Sequence, residues 1–160
     1  MERINRILRN QRFQEHLRKN QAAETDRIFC HHDMGHFLDV ARIGMILNLQ
    51  EGLGIPAELL YGAALLHDIG RHEQYETGIP HEEAGARIAP GILAECGYTA
   101  EEIREIEEAI ALHRDSGTEK RADLAGVLYR ADKASRACFA CQASSQCNWK
   151  AVKKNQEIQW

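Results

Sequence analysis

The chain lacks most of what a membrane, secreted or nucleic-acid-binding protein needs. In its 160 residues no apolar run approaches the ~20 residues that span a bilayer. The first residues, Met1-Glu2-Arg3-Ile4-Asn5-Arg6, hold no apolar core of a leader, so no secretory signal is expected and the reducing cytoplasm is the expected compartment. There is no basic excess: 20 Lys and Arg face 24 Asp and Glu, for a formal net charge of -4. That balance excludes a domain held to a nucleic-acid polymer by a basic face. A phosphorylated ligand would have to be drawn by local cations or metals instead. No Val/Ile/Thr stretch alternates in the manner of a strand. Aromatic residues are 6% of the chain, while Ala, Leu, Ile, Glu and Arg dominate, which favours an all-α fold. A hydrophobic content of 44% over this length gives one globular domain with a real core.

Cysteine is present but odd in number, at five. A cytoplasmic chain is not expected to be stapled by disulfides. Cys96, in Leu93-Ala94-Glu95-Cys96-Gly97, is expected to pack near a helix end.

What is there is a succession of apolar stripes that end on metal-binding side chains. Residues 2 to about 20 read as one amphipathic packing helix, with His16 on its wet face. In the next helix, from His32-Asp33 to Gly52, His36, Val40, Ile43 and Leu47 form one stripe at i, i+4, i+7, i+11, and His36 opens it. Pro56 begins a third helix, in which Leu60, Ala64 and His67 share the buried stripe and Asp68 lies about 100° further round. Gly70 is placed to end that helix in a left-handed cap. Residues 71–80 read as a polar loop, and His81 opens another helix ending near Cys96-Gly97. The next helix begins with the capping box Thr99-Ala-Glu-Glu102 and carries Ile103, Ile106, Ile110 and His113 on one face. The last places Asp132 at the next step of a stripe set by Leu124 and Leu128, which breaks the binary pattern. Inward imidazoles and carboxylates from separate helices are how helical bundles build metal sites.

The order His36, then His67-Asp68, then Asp132, resembles the HD-domain metal-dependent phosphohydrolases. His36-Phe-Leu-Asp-Val-Ala41 looks like that family's first-ligand helix. Leu65-Leu66-His67-Asp68-Ile69-Gly70 is similar to its namesake motif, and Tyr129-Arg130-Ala131-Asp132-Lys133 to its last ligand. The resemblance implies a single-domain HD-type helical bundle of about six to seven helices. An N-terminal packing helix is expected over 1–25 and a cysteine-containing extension of the same domain over 138–160, while the resemblance itself covers the HD domain at about 26–137. It implies a first metal held by His36, His67, Asp68 and Asp132. Six-ligand members carry a second, for which His81 and His113 match, with Asp68 bridging; His72 is a rival to His81. The ligand set is all N and O, which suits Fe, Mn, Co, Ni or Zn.

The implied reaction is hydrolysis of a phosphate ester of a nucleotide or other small phosphorylated metabolite by a metal-activated hydroxide that attacks phosphorus in line. Asp68, Arg71 and Lys133 are the candidate catalytic residues. Arg71 and Lys133, then Arg114 and Arg136, are the candidates for holding phosphate oxygens. Loop 72–80, with Tyr75 and Gly78, would cover the substrate. A small phosphorylated substrate is thus the expected partner, with no nucleic-acid polymer and no membrane, and a homo-oligomer is left open. Two competing readings stand beside this one. Six-ligand HD proteins include di-iron oxygenases, and a metal-stabilised signalling or sensor domain would be non-enzymatic.

The other four cysteines suggest a second metal site. Cys138 and Cys141 have Cys-x2-Cys spacing, and Cys147 follows. Cys30 lies six residues before His36, and Cys138 six residues after Asp132. If those helices are antiparallel, both steps lead the same way, about 9 Å each if helical. A Cys30/Cys138/Cys141/Cys147 site holding structural zinc or a [4Fe–4S] cluster is expected there, with His31 or His32 able to replace one thiolate. Four reduced, packed or exposed thiols are the alternative.

Overall fold

The computed structural model describes residues 1–158 and 160, and the secondary structure there is entirely helical. Eight α-helices follow in order: α1 (Glu2–Arg9), α2 (Gln11–Ala23), α3 (Met34–Glu51), α4 (Ala57–Leu66), α5 (Arg71–Thr77), α6 (His81–Glu95), α7 (Ala100–Leu112) and α8 (Leu124–Ala134). Short 3-10 turns occupy Ser116–Thr118, Cys138–Ala140 and Ala151–Lys153.

The fold is built around α4. Leu59, Leu60 and every residue from Gly62 to Leu66 are buried, and α1, α3, α6, α7 and α8 all pack on this helix. A helix that is apolar all round can only be a core helix. Small residues let its neighbours close in. A methyl group on Gly44 of α3 would sit 2.7 Å from Leu60 Cδ2, and Gly62 faces the Tyr98 ring and Ile106. Phe37, Val40, Ile69, Ile106, Ile110 and Leu128 complete a continuous core.

Local signals account for most of the boundaries. Asp33 caps α3 by accepting from the His36 backbone N–H, and Gly52 ends it at φ 63. Thr99 and Glu102 form the expected capping box of α7. No helix among the described residues is long and apolar enough to cross a membrane.

Three expectations need correction. Residues 2–20 do not form one helix. Asn10 adopts φ -65, ψ 128 and its side chain accepts from Phe13 N, so it N-caps a second helix and puts an elbow between α1 and α2. Residues 71–80 are not a plain loop: α5 fills Arg71–Thr77 and ends at Gly78 with φ 80. Its seven residues, about two turns, are too few to show an apolar period. Gly70 is not a left-handed cap, since its φ is -87. Glycine is needed there for space, because a Cβ would lie 2.6 Å from Gly85 N and 2.7 Å from Ala84 Cβ of α6.

Candidate metal centre

Five helices deliver their ligand side chains at their ends. His36 lies in the first turn of α3, His67-Asp68 directly after α4, His81 at the start of α6, His113 directly after α7, and Asp132 in the last turn of α8. The alternating course of the chain brings all of these ends together.

The geometry separates into two groups that share one carboxylate. Asp68 Oδ2 lies 3.1 Å from His67 Nε2 and 3.4 Å from His36 Nε2. Asp132 Oδ1 faces the same two nitrogens, 3.5 Å from His36 and 3.9 Å from His67. Asp68 Oδ1 turns the other way, 3.0 Å from His81 Nε2 and 3.5 Å from His113 Nε2. His36, His67, Asp68 and Asp132 offer donor atoms all within 4.8 Å of one another, and so do Asp68, His81 and His113. The six residues expected as ligands are therefore brought together, with Asp68 between the two sets.

The outer nitrogens fix the imidazoles in the ligating form. His67 Nδ1 donates to Ala64 O at 2.7 Å, and His113 Nδ1 donates to Ile110 O at 2.6 Å. In each case the acceptor is the carbonyl three residues back, so the helix end itself sets the tautomer. For His81, Gln74 Oε1 lies 2.6 Å from Nδ1 and takes the same part. An imidazole whose Nδ1–H is engaged presents a free Nε2 lone pair.

The charges suit cation binding. Burial alone would raise the Asp68 carboxyl, but the surrounding His67 and His32 outweigh it and hold it well below the ordinary range. Burial likewise opposes Lys133 and Arg136 at Asp132, and the cations win. Burial lowers His81, favouring the neutral ligand form. At His67 burial works against the cation, but Asp68 reverses the direction and the shift is upward. Asp68 Oδ1 is buried and has no hydrogen-bond partner. A buried carboxylate oxygen without a hydrogen bond is costly unless a cation satisfies it. Imidazole and carboxylate donors around it fit a divalent transition metal.

The surrounding cations divide unevenly. Lys133 Nζ pairs with Asp132 Oδ2, and Arg136 Nη2 lies 3.6 Å from the same oxygen. Arg71 donates from Nη1 to Gln74 Oε1 at 2.9 Å, and that nitrogen lies 2.7 Å from His81 Nδ1. Arg114 is held away on the surface by Glu82. His72 is not in the cluster; its Nε2 meets His16 Nδ1 at 2.8 Å and the two rings stack. His16 is accordingly half-buried rather than a free surface residue.

Several contributors were not foreseen. Buried Asn20 of α2 donates to Asp68 O at 2.9 Å and accepts from His72 N at 2.8 Å, tying the turn after α4 to α2. Buried Glu24 accepts from His32 N at 2.7 Å, from His32 Nδ1 and from Tyr75 OH at 2.7 Å. Burial would raise its pKa, but these donors, His32 foremost, bring it down to about 2. His32 Nε2 then points at the centre, 3.8 Å from Asp68 Oδ2. Tyr75 is thereby fixed to Glu24 and is not a free cover. Only the binary mismatch of Glu24 beside buried positions could have hinted at this arrangement.

Cys30, Cys138, Cys141 and Cys147 all line one cavity, with His31 and without His32. Among the described residues they form no set of three thiols within 4.8 Å of one another. Cys96 is buried in the core, as expected.

Comparison with known proteins agrees with the site. The HD domain family matches residues 34–137. An uncharacterized protein of Clostridium beijerinckii is 46% identical over 158 residues, which cover 99% of each chain. The crystal structure of a predicted HD superfamily hydrolase from an uncultured Thermotogales bacterium superposes with a TM-score of 0.63 at 26% identity, covering 88% of this chain and 80% of that one. The chain belongs to the HD-domain family, as its histidine and aspartate pattern led us to expect.

Proposed function

We propose that the protein is a metal-dependent phosphohydrolase that cleaves a phosphate ester of a nucleotide or another small phosphorylated metabolite. One observation carries this reading: the two oxygens of Asp68 face two separate ligand groups. His36, His67, Asp68 and Asp132 would hold one divalent ion, and Asp68, His81 and His113 a second. Ions held there would supply Lewis-acid polarisation of a phosphoryl oxygen and a water nucleophile at neutral pH.

The chain's own residues do the rest. Lys133 and Arg136 flank one side of the centre and Arg71 the other, so a phosphate entering between them meets cations on both sides. Lys133 is paired with Asp132 here, and an ion sharing the Asp132 charge would leave its ammonium able to turn to substrate. His32, anchored at Nδ1 by Glu24, turns its Nε2 toward the centre and presents a hydrogen-bond acceptor there. The nearby predicted HD superfamily hydrolase supports hydrolysis, and the three cations support an anionic substrate.

The test is turnover of a generic phosphomonoester and a nucleotide panel by protein loaded in turn with Mn, Fe, Co, Ni and Zn. Release of phosphate that Asp68→Ala abolishes and Lys133→Ala weakens chiefly through KM is the expected result. No hydrolysis with any metal overturns the proposal, and oxygen consumption by the iron form in its place would redirect it to an oxygenase.

A further inference from the structure

The C-terminal segment poses a problem that the metal centre does not solve. Between positions 137 and 158 the only buried residue is Ala143, and the only regular structure is two short 3-10 turns. Apolar burial cannot hold such a segment. Yet it is fastened to the end of α8. Asn155 Nδ2 donates to the carbonyls of Lys133 at 2.9 Å, Ala134 at 3.2 Å and Arg136 at 2.9 Å. Trp149 lies under the Arg136 guanidinium, 3.8 Å from ring centroid to Cζ. Lys154 Nζ donates to Ser144 O at 2.5 Å.

Four of the five cysteines meet at this junction. Cys30 precedes α3, while Cys138, Cys141 and Cys147 follow α8, and α3 packs against α8. All four are free thiols lining a cavity of about 380 Å³. Cys30 as a residue is exposed, but burial of its thiol raises its pKa, Arg136 opposes this, and Cys138 and Cys141 add to the rise. These neighbours come from more than 100 positions away in the sequence. The sulfurs are not drawn into a tight set, so ligation would pull them inward and close the cavity. Small structures with little core are commonly stapled by a thiolate-bound metal.

We propose that Cys30, Cys138, Cys141 and Cys147 hold a thiophilic metal centre, structural zinc or a [4Fe–4S] cluster, that staples the C-terminal segment to the start of α3. Each thiol gives its proton to solvent as it binds. His36 and Ser135 line the same cavity, and Ser135 Oγ lies 3.3 Å from His36 Nδ1. The staple therefore stands directly behind one ligand of the other centre, and its loss loosens His36 before the remaining five.

The experiment uses the full chain purified anaerobically without chelator, with zinc, iron and acid-labile sulfide measured. A stoichiometric zinc, or about four irons with sulfide, is expected. It persists in Asp68→Ala and Cys96→Ser and is lost from Cys30→Ser and Cys141→Ser, also after reconstitution with zinc or with ferrous iron and sulfide. Should the cysteine variants misfold, cobalt(II) titration of wild-type protein decides, since a thiolate-to-cobalt charge-transfer band is then expected. Cysteine variants that keep the wild-type metal content overturn the proposal. So does wild-type protein that takes up neither metal after reconstitution, or one that binds cobalt without that band.

Discussion

Gly70→Ala tests the coupling between the packing of the fold and the metal centre. Backbone strain is not at issue, because Gly70 has φ -87 and ψ 9, which alanine adopts freely. The added methyl would lie 2.6 Å from Gly85 N, 2.7 Å from Ala84 Cβ and 2.8 Å from Ala84 C, all rigid parts of α6. To regain ordinary contact near 3.4 Å, the first turns of α6 must retreat by about 0.8 Å. Overpacking of this kind costs about 1–3 kcal/mol. For a chain of this size that lowers Tm by about 2–12 °C. The same retreat carries His81 away from Asp68 Oδ1, now 3.0 Å distant, but leaves His36, His67 and Asp132 in place. Metal titration should therefore show weakened binding at the Asp68/His81/His113 set and near-normal binding at the other, with His113→Ala and His36→Ala as references for each. A Tm within about 1 °C of wild type, below the overpacking range, would refute the packing argument. Equal weakening at both sets would refute the claim that they are geometrically separable.

Glu24→Gln probes the buried carboxylate: folding lowers its pKa from 4.5 to about 2, so it contributes stability above its unfolded pKa and loses it as pH falls through the folded one. The effect is about 3 kcal/mol, so urea melts should show the variant less stable at neutral pH and with a shallower acid limb; parallel limbs would exclude it. Asn20→Ala leaves the Asp68 carbonyl and the His72 N–H unpaired in the interior and should cost about 2–4 kcal/mol in denaturant titrations. Thr99→Ala removes one half of the α7 capping box and should cost about 1 kcal/mol by the same measurement. Chelation of protein held at about 100 times the metal Kd should remove about 2.7 kcal/mol of apparent stability per site, seen as a fall in Tm that is smaller in Asp68→Ala than in wild type.

The parts of the site legible in the sequence are those whose position depends on one helix alone. His36, His67, His113 and Asp132 each continue an apolar stripe of their own helix, and periodicity therefore aimed them inward. His81 was reached through the family pattern, and His72, its rival, points instead to His16. The unread parts depend on pairs of distant elements. Asn20, Glu24 and Gln74 are ordinary polar residues in the sequence, and only tertiary packing gives them their partners: the turn after α4 for Asn20, Tyr75 of α5 and His32 for Glu24, and His81 at the start of α6 for Gln74. The elbow at Asn10 was missed because the apolar spacing runs on across it, and α5 because its seven residues are too few to establish a period. Gly70 stands in the sequence where a left-handed cap belongs, yet its constraint comes from α6 pressed against it.

The ligands are spread from His36 to Asp132, one or two at each of five helix ends. During synthesis, α8 is the last of these helices to leave the ribosome, so a nascent chain carries a half-built set of donors for most of its emergence. It cannot close the centre until α8 has emerged and docked, so metal capture follows the assembly of all five helix ends. Metal content of the purified protein thus records which ion the cell offers to the assembled ligand set, rather than which ion first met its earliest helices.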